Sequence, residues 1–364
     1  MCGMSPSFCR ASLGFVFLTA LLAGCTSKPG TEERGAAAGT ASESPLPAGP
    51  RLFVTDEVGG VITVIDVNSA KAIATIPVGK RPRGLALSPD METIYVALSG
   101  TPIGGPGVDE DKLPPADKKA DGIGVISVKE LRLLRVIHGG SDPENVAVSK
   151  DGSRVFATNE DTGQASALDP VDGKVLATAK VGDAPEGVNV RPDGKVVYVT
   201  SEEENKVTVL DARTMKALAS IAVGPRPRST AFLPDSSRAY VPAENGSSIS
   251  VIDAQKHRLL QTIKLPGGKM VRPMGTAVSP DGTKLFATTG RGQHLVIIDT
   301  KTNQQIAEVE AGERPWGVAV APDSKTVFTA NGPSHDVSFI DVDSRAVRTR
   351  VKAGERPWGI VYVP

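Results

Sequence analysis

The hexapeptide GERPWG occupies residues 312–317 and returns at residues 354–359, so the same six letters recur after a step of 42 residues. The second copy ends five residues before the last residue of the sequence. A repeat at this spacing indicates a chain built from copies of one structural unit. The proline of the hexapeptide therefore serves as the reference point for finding the other copies.

Seven prolines stand in equivalent contexts, with steps of 61, 42, 42, 46, 42 and 42 residues between them: Pro82, Pro143, Pro185, Pro227, Pro273, Pro315 and Pro357. Each is followed by an apolar stretch such as GVAVAPD, a turn, and further stretches such as VYVT, VTVLD and ALASIAVG. Four short strands in one such repeat are typical of a β-propeller blade. The sequence therefore predicts an all-β, seven-bladed β-propeller of four-stranded antiparallel blades.

The two ends of the repeat region predict how the ring closes. The repeat region begins at residue 51 with RLFVTDE, which matches a second strand of the repeat. It ends with WGIVYVP, which matches a first strand. We therefore expect the N- and C-terminal strands to share one blade, here called blade 1, with blades 2–7 beginning at Pro82 to Pro315. Such closure removes free strand edges that would promote aggregation.

The overall composition restricts the function classes. The chain has 41 basic and 41 acidic residues, so no global field attracts nucleic acid or a membrane surface. All three cysteines lie within the first 25 residues, which excludes a disulfide, a CxxC metal site or a thiol nucleophile from the remainder. With 40% hydrophobic residues the chain can build a substantial core.

The N-terminal segment has the features of a signal peptide. The stretch ASLGFVFLTALLAGC is too short for a stable membrane anchor and ends in small residues. Its last four residues, LAGC, resemble the bacterial lipobox, and this resemblance implies lipidation of Cys25. Thr26 after the cysteine favours, by the same resemblance, the outer membrane.

These features divide the chain into three predicted segments. Residues 1–24 are expected to be a lipoprotein signal peptide, residues 25–50 the lipidated Cys25 with a disordered tether, and residues 51–364 the propeller. The expected location is the bacterial cell envelope, with the propeller facing the periplasm or the cell surface. The lipid on Cys25 is expected to attach the protein to the membrane. The propeller itself is expected to be a monomer.

The strand motif points to a known family. VYVT at residues 197–200, with VFAT, LFAT, LFVT and VFTA at equivalent places, resembles the YVTN family of β-propeller repeats over residues 51–364. This resemblance implies a rigid ring with variable loops that serves as a binding or interaction scaffold. Seven-bladed relatives also include lactonase-like hydrolases and quinoprotein-associated redox propellers, and these remain the alternative.

Two series of aspartates recur from blade to blade and predict turns, because a carboxylate accepts bonds from the amides that follow it. One series ends third strands: Asp66, Asp169, Asp211, Asp253, Asp299 and Asp341, with Ser127 in blade 2. The other follows first strands: Asp90, Asp151, Asp193, Asp235, Asp281 and Asp323.

The candidate site lies where the loops entering first strands meet the loops joining second to third strands, since antiparallel order places both at one end of the ring. Arginine or tryptophan flanks the reference proline in most blades, giving the predicted ligand-binding set Arg81, Arg83, Arg226, Arg228, Arg272, Arg314, Trp316, Arg356 and Trp358. Blades 3 and 4 carry carboxylates there instead, at Asp142, Glu144 and Glu186.

Arginine forks bind carboxylate or phosphate, and tryptophan stacks on planar groups. The set therefore predicts a mouth for a small, anionic, partly planar ligand, or for a periplasmic partner protein. Two structural interpretations stay open: the arginines can pair between blades, and the tryptophans can plug the channel.

Blade 2 contains the largest departure from the repeat, an insert at residues 99–121. We expect this insert to form a solvated lid on the face that carries the arginines and tryptophans. Its acidic residues lack the spacing of an EF-hand. His294 and His335 lie in equivalent loops of blades 6 and 7 but lack HxH or HExxH spacing. We therefore expect no metal site and no cofactor.

Three function classes remain: a lipid-anchored, extracytoplasmic binding scaffold, which is favoured; a lactonase-like or quinoprotein-associated enzyme; and a weaker candidate, a single-strand nucleic-acid binder. No GxSxG, Walker or CxxCH motif supports catalysis or haem attachment. Catalytic residues are therefore not assigned, and the chain is expected not to be an enzyme. The neutral net charge speaks against nucleic acid.

Overall fold

The computed structural model describes residues 49–104, 108–138 and 140–364. It confirms the predicted fold: seven sheets, each of four antiparallel strands, form a closed seven-bladed ring. The predicted signal peptide (1–24), Cys25 and all but the last two residues of the tether (25–50) lie outside the described residues.

The first three blades are built from the following strands. Blade 1 contributes β1 (Arg51–Asp56), β2 (Val61–Asp66) and β3 (Lys71–Pro77). Blade 2 contains β4 (Pro82–Leu87), β5 (Thr93–Leu98), β6 (Gly122–Ser127) and β7 (Arg132–Ile137). Blade 3 contains β8 (Pro143–Val148), β9 (Val155–Asn159), β10 (Gln164–Leu168) and β11 (Val175–Lys180).

The remaining blades repeat this order. Blade 4 contains β12 (Pro185–Val190), β13 (Val196–Ser201), β14 (Lys206–Asp211) and β15 (Ala217–Ala222). Blade 5 contains β16 (Ala231–Phe232), β17 (Arg238–Ala243), β18 (Ser248–Asp253) and β19 (Arg258–Lys264). Blade 6 contains β20 (Thr276–Val278), β21 (Lys284–Thr288), β22 (His294–Asp299) and β23 (Gln304–Glu310). Blade 7 contains β24 (Pro315–Val320), β25 (Thr326–Asn331), β26 (Asp336–Asp341) and β27 (Ala346–Lys352).

The last strand, β28 (Pro357–Val363), closes the ring as predicted, because it pairs antiparallel with β1 as the inner strand of blade 1. The junction is also fastened by a side chain. The carboxylate of Asp56 accepts hydrogen bonds from the backbone N–H groups of Glu355 and Arg356, both at 2.9 Å. The second GERPWG copy is therefore the loop that brings the C-terminal strand into the first blade.

Helical structure within the described residues is limited to short 3-10 turns. They are Glu110–Lys112, Lys118–Ala120, Glu160–Thr162, Glu244–Gly246, Gly268–Met270 and Gly290–Gly292. No helix in these described ranges is long and apolar enough to cross a membrane.

The core consists of apolar layers between neighbouring blades. Second strands are buried on both faces, as β13 shows with all six residues buried, whereas outer strands such as β15 are largely exposed. One layer packs Phe328 and Phe339 of blade 7 against Leu52 and Ile360 of blade 1. Each fully buried side chain of this size contributes about 1.5–3 kcal/mol to folding, so these layers hold the ring together.

A threonine near the end of the second strand links neighbouring blades. The hydroxyl of Thr55 in blade 1 accepts from the backbone N–H of Gly359 in the same blade and donates to the carbonyl of Arg83 in blade 2. Three further threonines donate to the next blade in the same way, namely Thr158 to Glu186, Thr200 to Arg228 and Thr288 to Trp316. The final residue of the VYVT motif therefore fixes the backbone of residues at the mouth.

The last glycine of the hexapeptide is required by close packing of the first strands. A Cβ on Gly317 would lie 2.5 Å from the carbonyl oxygen of Trp358, and a Cβ on Gly359 would lie 2.6 Å from that of Arg83. These separations are shorter than any tolerated carbon–oxygen contact. Glycine therefore allows the inner strands of adjacent blades to approach around the channel.

Both aspartate series form turns, as predicted. Asp66, Asp211 and Asp341 each accept a backbone N–H from the residue three positions later at 2.7 Å. The other members accept following amides in the same manner: Asp169, Asp253 and Asp299 after third strands, and Asp90, Asp151, Asp193, Asp235, Asp281 and Asp323 after first strands.

Candidate functional site

One end of the ring opens into a cavity of about 800 Å³, here called the mouth. Its walls are the loops entering first strands and the loops joining second to third strands, as the antiparallel order requires. All nine residues of the predicted ligand-binding set line this cavity: Arg81, Arg83, Arg226, Arg228, Arg272, Arg314, Trp316, Arg356 and Trp358. Their use by a ligand stays a prediction, but the structure brings them together.

The residue before the reference proline adopts a strained backbone conformation in several blades. Arg81, Arg226 and Arg314 have positive φ values of 42°, 58° and 47°. This left-handed region disfavours residues with a Cβ and favours glycine or asparagine. Asp142 and Ala184 share this conformation at the same position, with φ values of 51° and 48°, so it belongs to the repeat and does not by itself assign a role to the arginine side chain.

Six of the seven predicted arginines lie within ion-pair distance of a glutamate, namely Arg81, Arg83, Arg226, Arg228, Arg272 and Arg356. In blade 5, the buried guanidinium of Arg228 contacts three carboxylates: Glu186 at 3.1 Å, Glu202 and Glu244. Its neighbour Arg226 lies 2.9 Å from Glu202 and 3.2 Å from Glu244. Removing one partner of a buried ion pair costs about 3–5 kcal/mol, so the buried Arg228 is expected to stabilise the ring, whereas the side chain of Arg226 is 42% exposed.

Blade 2 shows the same pairing. Arg81 lies 2.9 Å from Glu57, which is itself buried, and Glu57 also reaches Arg356 of blade 1 at 3.2 Å. Arg83 is buried against Glu144 and lies 3.8 Å from Glu160. The arginines predicted around the mouth come from blades 5, 6, 7, 1 and 2, but glutamates offset those of blades 1, 2, 5 and 6 in the structure.

Of the partners of these arginines, the sequence interpretation identified Glu144 and Glu186 as carboxylates of the mouth but not the others. The others are glutamates that directly follow second strands, and they occur in blades 1, 3, 4 and 5: Glu57, Glu160, Glu202 and Glu244. The last three are separated by the same 42-residue step as the prolines, so the repeat pattern in the sequence marks these glutamates as equivalent positions. In blades 1, 4 and 5, this glutamate pairs with the arginine before the proline of the next blade.

Blades 6 and 7 break this rule because glycine replaces the glutamate, at Gly290 and Gly332. Arg314, which follows blade 6, accordingly has no carboxylate within ion-pair distance among the described residues. Its guanidinium lies 5.2 Å from the ring centre of Trp316. Burial and the positive charge of Arg356 lower the pKa of Arg314. A positive charge without a local counter-charge therefore faces the mouth.

The two tryptophans form an aromatic partition. Their ring centres are 5.4 Å apart at an interplanar angle of 36°. Arg228 lies 5.1 Å over Trp316, and Arg83 lies 5.5 Å over Trp358. Both tryptophans line the mouth and also a smaller cavity of about 160 Å³ in the channel. They therefore separate the two spaces and present aromatic surface to the mouth.

The blade 2 insert covers one side of the mouth. Residues Thr101 to Gly104, with Leu113, Pro114 and Ala116, line the cavity. The insert is anchored where it rejoins blade 2, because the buried carboxylate of Asp121 accepts from the N–H groups of Gly100 at 2.7 Å and Asp142 at 2.9 Å. The expectation of a solvated lid was therefore incomplete, since part of the insert is wall.

The histidines use a ring nitrogen on backbone groups: Nδ1 of His294 contacts the carbonyl of Gly292, and Nδ1 of His335 contacts that of Glu355. A group of carboxylates does converge elsewhere, since oxygens of Asp142, Glu144 and Glu160 lie within 4.8 Å of one another. Sequence reasoning placed no metal at either position.

Comparisons with known proteins support the propeller. A family model described as the choice-of-anchor I domain matches residues 54–226, and this description suggests a surface-anchored or extracellular protein. No curated protein matches the sequence.

Three solved structures share the fold. A chain of Kuenenia stuttgartiensis hydrazine synthase has a TM-score of 0.65 and 19% identity, over 76% of this chain and 88% of that one. A functionally unknown protein from Desulfotomaculum acetoxidans has a TM-score of 0.70 and 16% identity, over 86% and 98%. A protein from Lactobacillus plantarum has a TM-score of 0.71 and 17% identity, over 86% and 99%. At these identities the likeness concerns the fold alone.

The buried carboxyl groups around Arg228 predict a pH-dependent stability. Burial and the neighbouring Glu186 raise the pKa of Glu202 from 4.5 to about 8, although Arg228 acts in the opposite direction. Between these two values the folded protein holds a proton that the unfolded chain releases. The free energy of unfolding should therefore fall as pH rises from about 5 to about 8, by up to ~1.4 kcal/mol per pH unit.

Urea denaturation of the purified protein at a series of pH values measures this slope. Glu202→Gln should flatten it, whereas Glu203→Gln, which alters an exposed neighbour outside the mouth, should leave it unchanged. Glu186, whose pKa is lowered by Arg228 despite its burial, contributes only at more acidic pH. An equal slope in wild type and Glu202→Gln would show that Glu202 does not hold this proton.

Proposed function

We propose that this propeller is an extracytoplasmic binding protein whose mouth takes a small anionic ligand with a planar group. The observation that carries the proposal is Arg314, a half-buried guanidinium that lies on Trp316 and has no carboxylate partner among the described residues. A desolvated charge is costly unless it is paired. An anion from solution would supply the missing partner.

The repeat supports this interpretation from a second direction. Where a glutamate precedes the next blade's arginine by the usual spacing, the arginine is neutralised within the protein. Blade 6 has Gly290 at that position and adds Arg291 directly after it, so this sector gains positive charge and loses negative charge. Arg291 and Arg314 line this side of the mouth together with Arg272 and Arg356, which are paired with Glu244 and Glu57.

The tryptophans account for the planar part of the ligand. Trp316 lies against Arg314 and is partly exposed to the cavity, and Trp358, which is 7% exposed, lies next to Trp316 with 5.4 Å between ring centres. Stacking on such a surface contributes roughly 1–3 kcal/mol per ring in nucleic-acid complexes. A carboxylate or phosphate attached to a ring would therefore contact the arginine and the tryptophans at once.

We further propose that the propeller is a member of the YVTN class and is held at a membrane, preferably the outer membrane, by lipid on Cys25. Support comes from the VYVT-like second strands, from the LAGC sequence and from the composition of residues 26–50. Multiple acyl chains on one cysteine anchor a protein stably, whereas a single chain does not. A binding ring on a tether would then sample the solution next to the membrane.

The binding proposal predicts a response of the intrinsic fluorescence, because Trp316 and Trp358 are the two tryptophans of the sequence. Titration with para-ethylbenzoate, extended to millimolar concentrations as suits a small probe, should change the tryptophan emission. Arg314→Gln should weaken this binding about tenfold, which corresponds to losing one charge-assisted hydrogen bond.

Three controls define the result. The neutral amide para-ethylbenzamide should lose little affinity in Arg314→Gln, and Arg213→Gln, an exposed change at the opposite end of the ring, should bind the anion normally. Gly332→Glu restores the repeat's glutamate in blade 7, the blade of Arg314, where a Cβ has neighbours no closer than 3.7 Å. Because Glu244 lies 3.2 Å from Arg226 of its own blade as well, this variant should also weaken anion binding. No emission change in wild type, or unchanged affinity in folded Arg314→Gln, would contradict the proposal.

The anchoring proposal predicts that Cys25→Ser moves the protein out of the membrane fraction or leaves it unprocessed. No other cysteine follows residue 25, so no alternative thioether can form in the mature chain. Cell fractionation with a high-salt wash measures the distribution, and Cys9→Ser serves as the matched control. Cys25→Ser protein that stays with membranes after the wash would refute lipid anchoring.

A further inference from the structure

The mouth has two walls of opposite charge. First strands contact one another in the order β20, β24, β28, β4, β8 and β12, which follows the blades in the order 6, 7, 1, 2, 3 and 4. In a seven-membered ring, blade 7 therefore faces blades 3 and 4 across the channel. Arg314 stands on the first of these walls, and the carboxylates of Asp142, Glu144 and Glu160 stand on the other.

The acidic wall has fewer cations than carboxylates. Arg83 contacts Glu144 and lies 3.8 Å from Glu160, and it is the cation that these three carboxylates share. Lys118 binds the neighbouring Asp161 at 2.5 Å instead. At least one carboxylate of this wall therefore lacks a full counter-charge, just as Arg314 on the opposite wall lacks a carboxylate partner among the described residues.

Two further observations place the deficit at the cavity. Glu144 is 1% exposed and lines the mouth, and its Oε2 has no hydrogen-bond donor among the described residues. Burial raises the pKa of Glu160, and the charges of Glu186 and Asp142 add to this effect against that of Arg83. Both findings describe carboxylates that a positively charged donor would stabilise.

We propose that the ligand of the mouth is zwitterionic, with its anionic group on Arg314, its planar part on Trp316 and Trp358, and a cationic ammonium or guanidinium group on Glu160. This inference rests on the proposed anion-binding function and names the ligand class more closely. The two unsatisfied charges belong to one cavity, so a single molecule that spans it satisfies both. A ligand with only one charge leaves the opposite wall uncompensated.

An organic cation fits the acidic wall better than a metal ion does. Arg83 already lies among the three carboxylates and would be repelled by a divalent ion, and Asp142 accepts a hydrogen bond from the hydroxyl of Ser99. Glu160 keeps 40% of its side chain exposed, so an ammonium group can reach it without displacing Arg83. One accessible carboxylate is sufficient for a charge-assisted hydrogen bond.

The test compares probes of matched shape on the purified protein, with tryptophan emission as the readout. Para-(aminomethyl)benzoate carries both charges, and para-ethylbenzoate has the same outline with the anion alone. Biphenyl analogues of both compounds extend the distance between the groups. At the fitting length, the zwitterion should bind the wild type at least about tenfold more tightly than the anion, as one charged hydrogen bond predicts.

Glu160→Gln should remove this preference while leaving the Kd of the simple anion unchanged or lower. Glu203→Gln, an exposed change outside the mouth, should preserve the preference. Equal affinity of zwitterion and anion at both lengths overturns the inference and leaves the proposed anion site standing. Binding of neither probe overturns the proposed function and the inference with it. Calcium ions that bind in a Glu160-dependent manner and abolish the preference would assign the acidic wall to a metal instead.

Discussion

The threonine hydroxyl that ends the VYVT motif is the interaction on which the geometry of the mouth depends. It accepts from an amide of its own blade and donates to the carbonyl of the residue after the proline in the next blade. Four of these bonds join blades 1 to 2, 3 to 4, 4 to 5 and 6 to 7. Because the acceptors belong to Arg83, Glu186, Arg228 and Trp316, the contact that joins the blades also positions the side chains of the mouth.

The charges of the mouth follow a rule that the ring applies from one blade to the next. A glutamate after the second strand of one blade neutralises the arginine before the first strand of the next, as Glu57 does for Arg81 and Glu244 for Arg272. Neighbours in the ring thus provide the counter-charges that burial requires. In blade 6, Gly290 replaces the glutamate, so the following arginine, Arg314, has no carboxylate partner among the described residues. The absence of this one glutamate leaves Arg314 available to a ligand.

Much of this architecture could be predicted from the sequence because the repeat fixes it. The 42-residue step predicted seven blades, the N- and C-terminal segments predicted the shared blade, and strand order predicted the face that carries Arg314 and Trp316. That arginines can pair between blades was one of the open interpretations of the motif, but the motif alone does not predict which arginines pair. Their partners depend on which loops meet across a blade boundary, where Glu202 and Glu244 reach arginines of the next blade. The course of the blade 2 insert has no repeat to predict it, and its contact through Asp121 emerged only in the structure.

The central claim is that the mouth is a binding site built around Arg314 and the tryptophan pair. Anomalous diffraction from crystals soaked in para-bromobenzoate tests it most directly, because bromine marks the ring and the electron density shows the carboxylate. We expect bromine in the mouth beside Trp316 and Trp358, with the carboxylate oxygens at hydrogen-bond distance from the Arg314 guanidinium. Bromine bound elsewhere, with the mouth holding none, would contradict it.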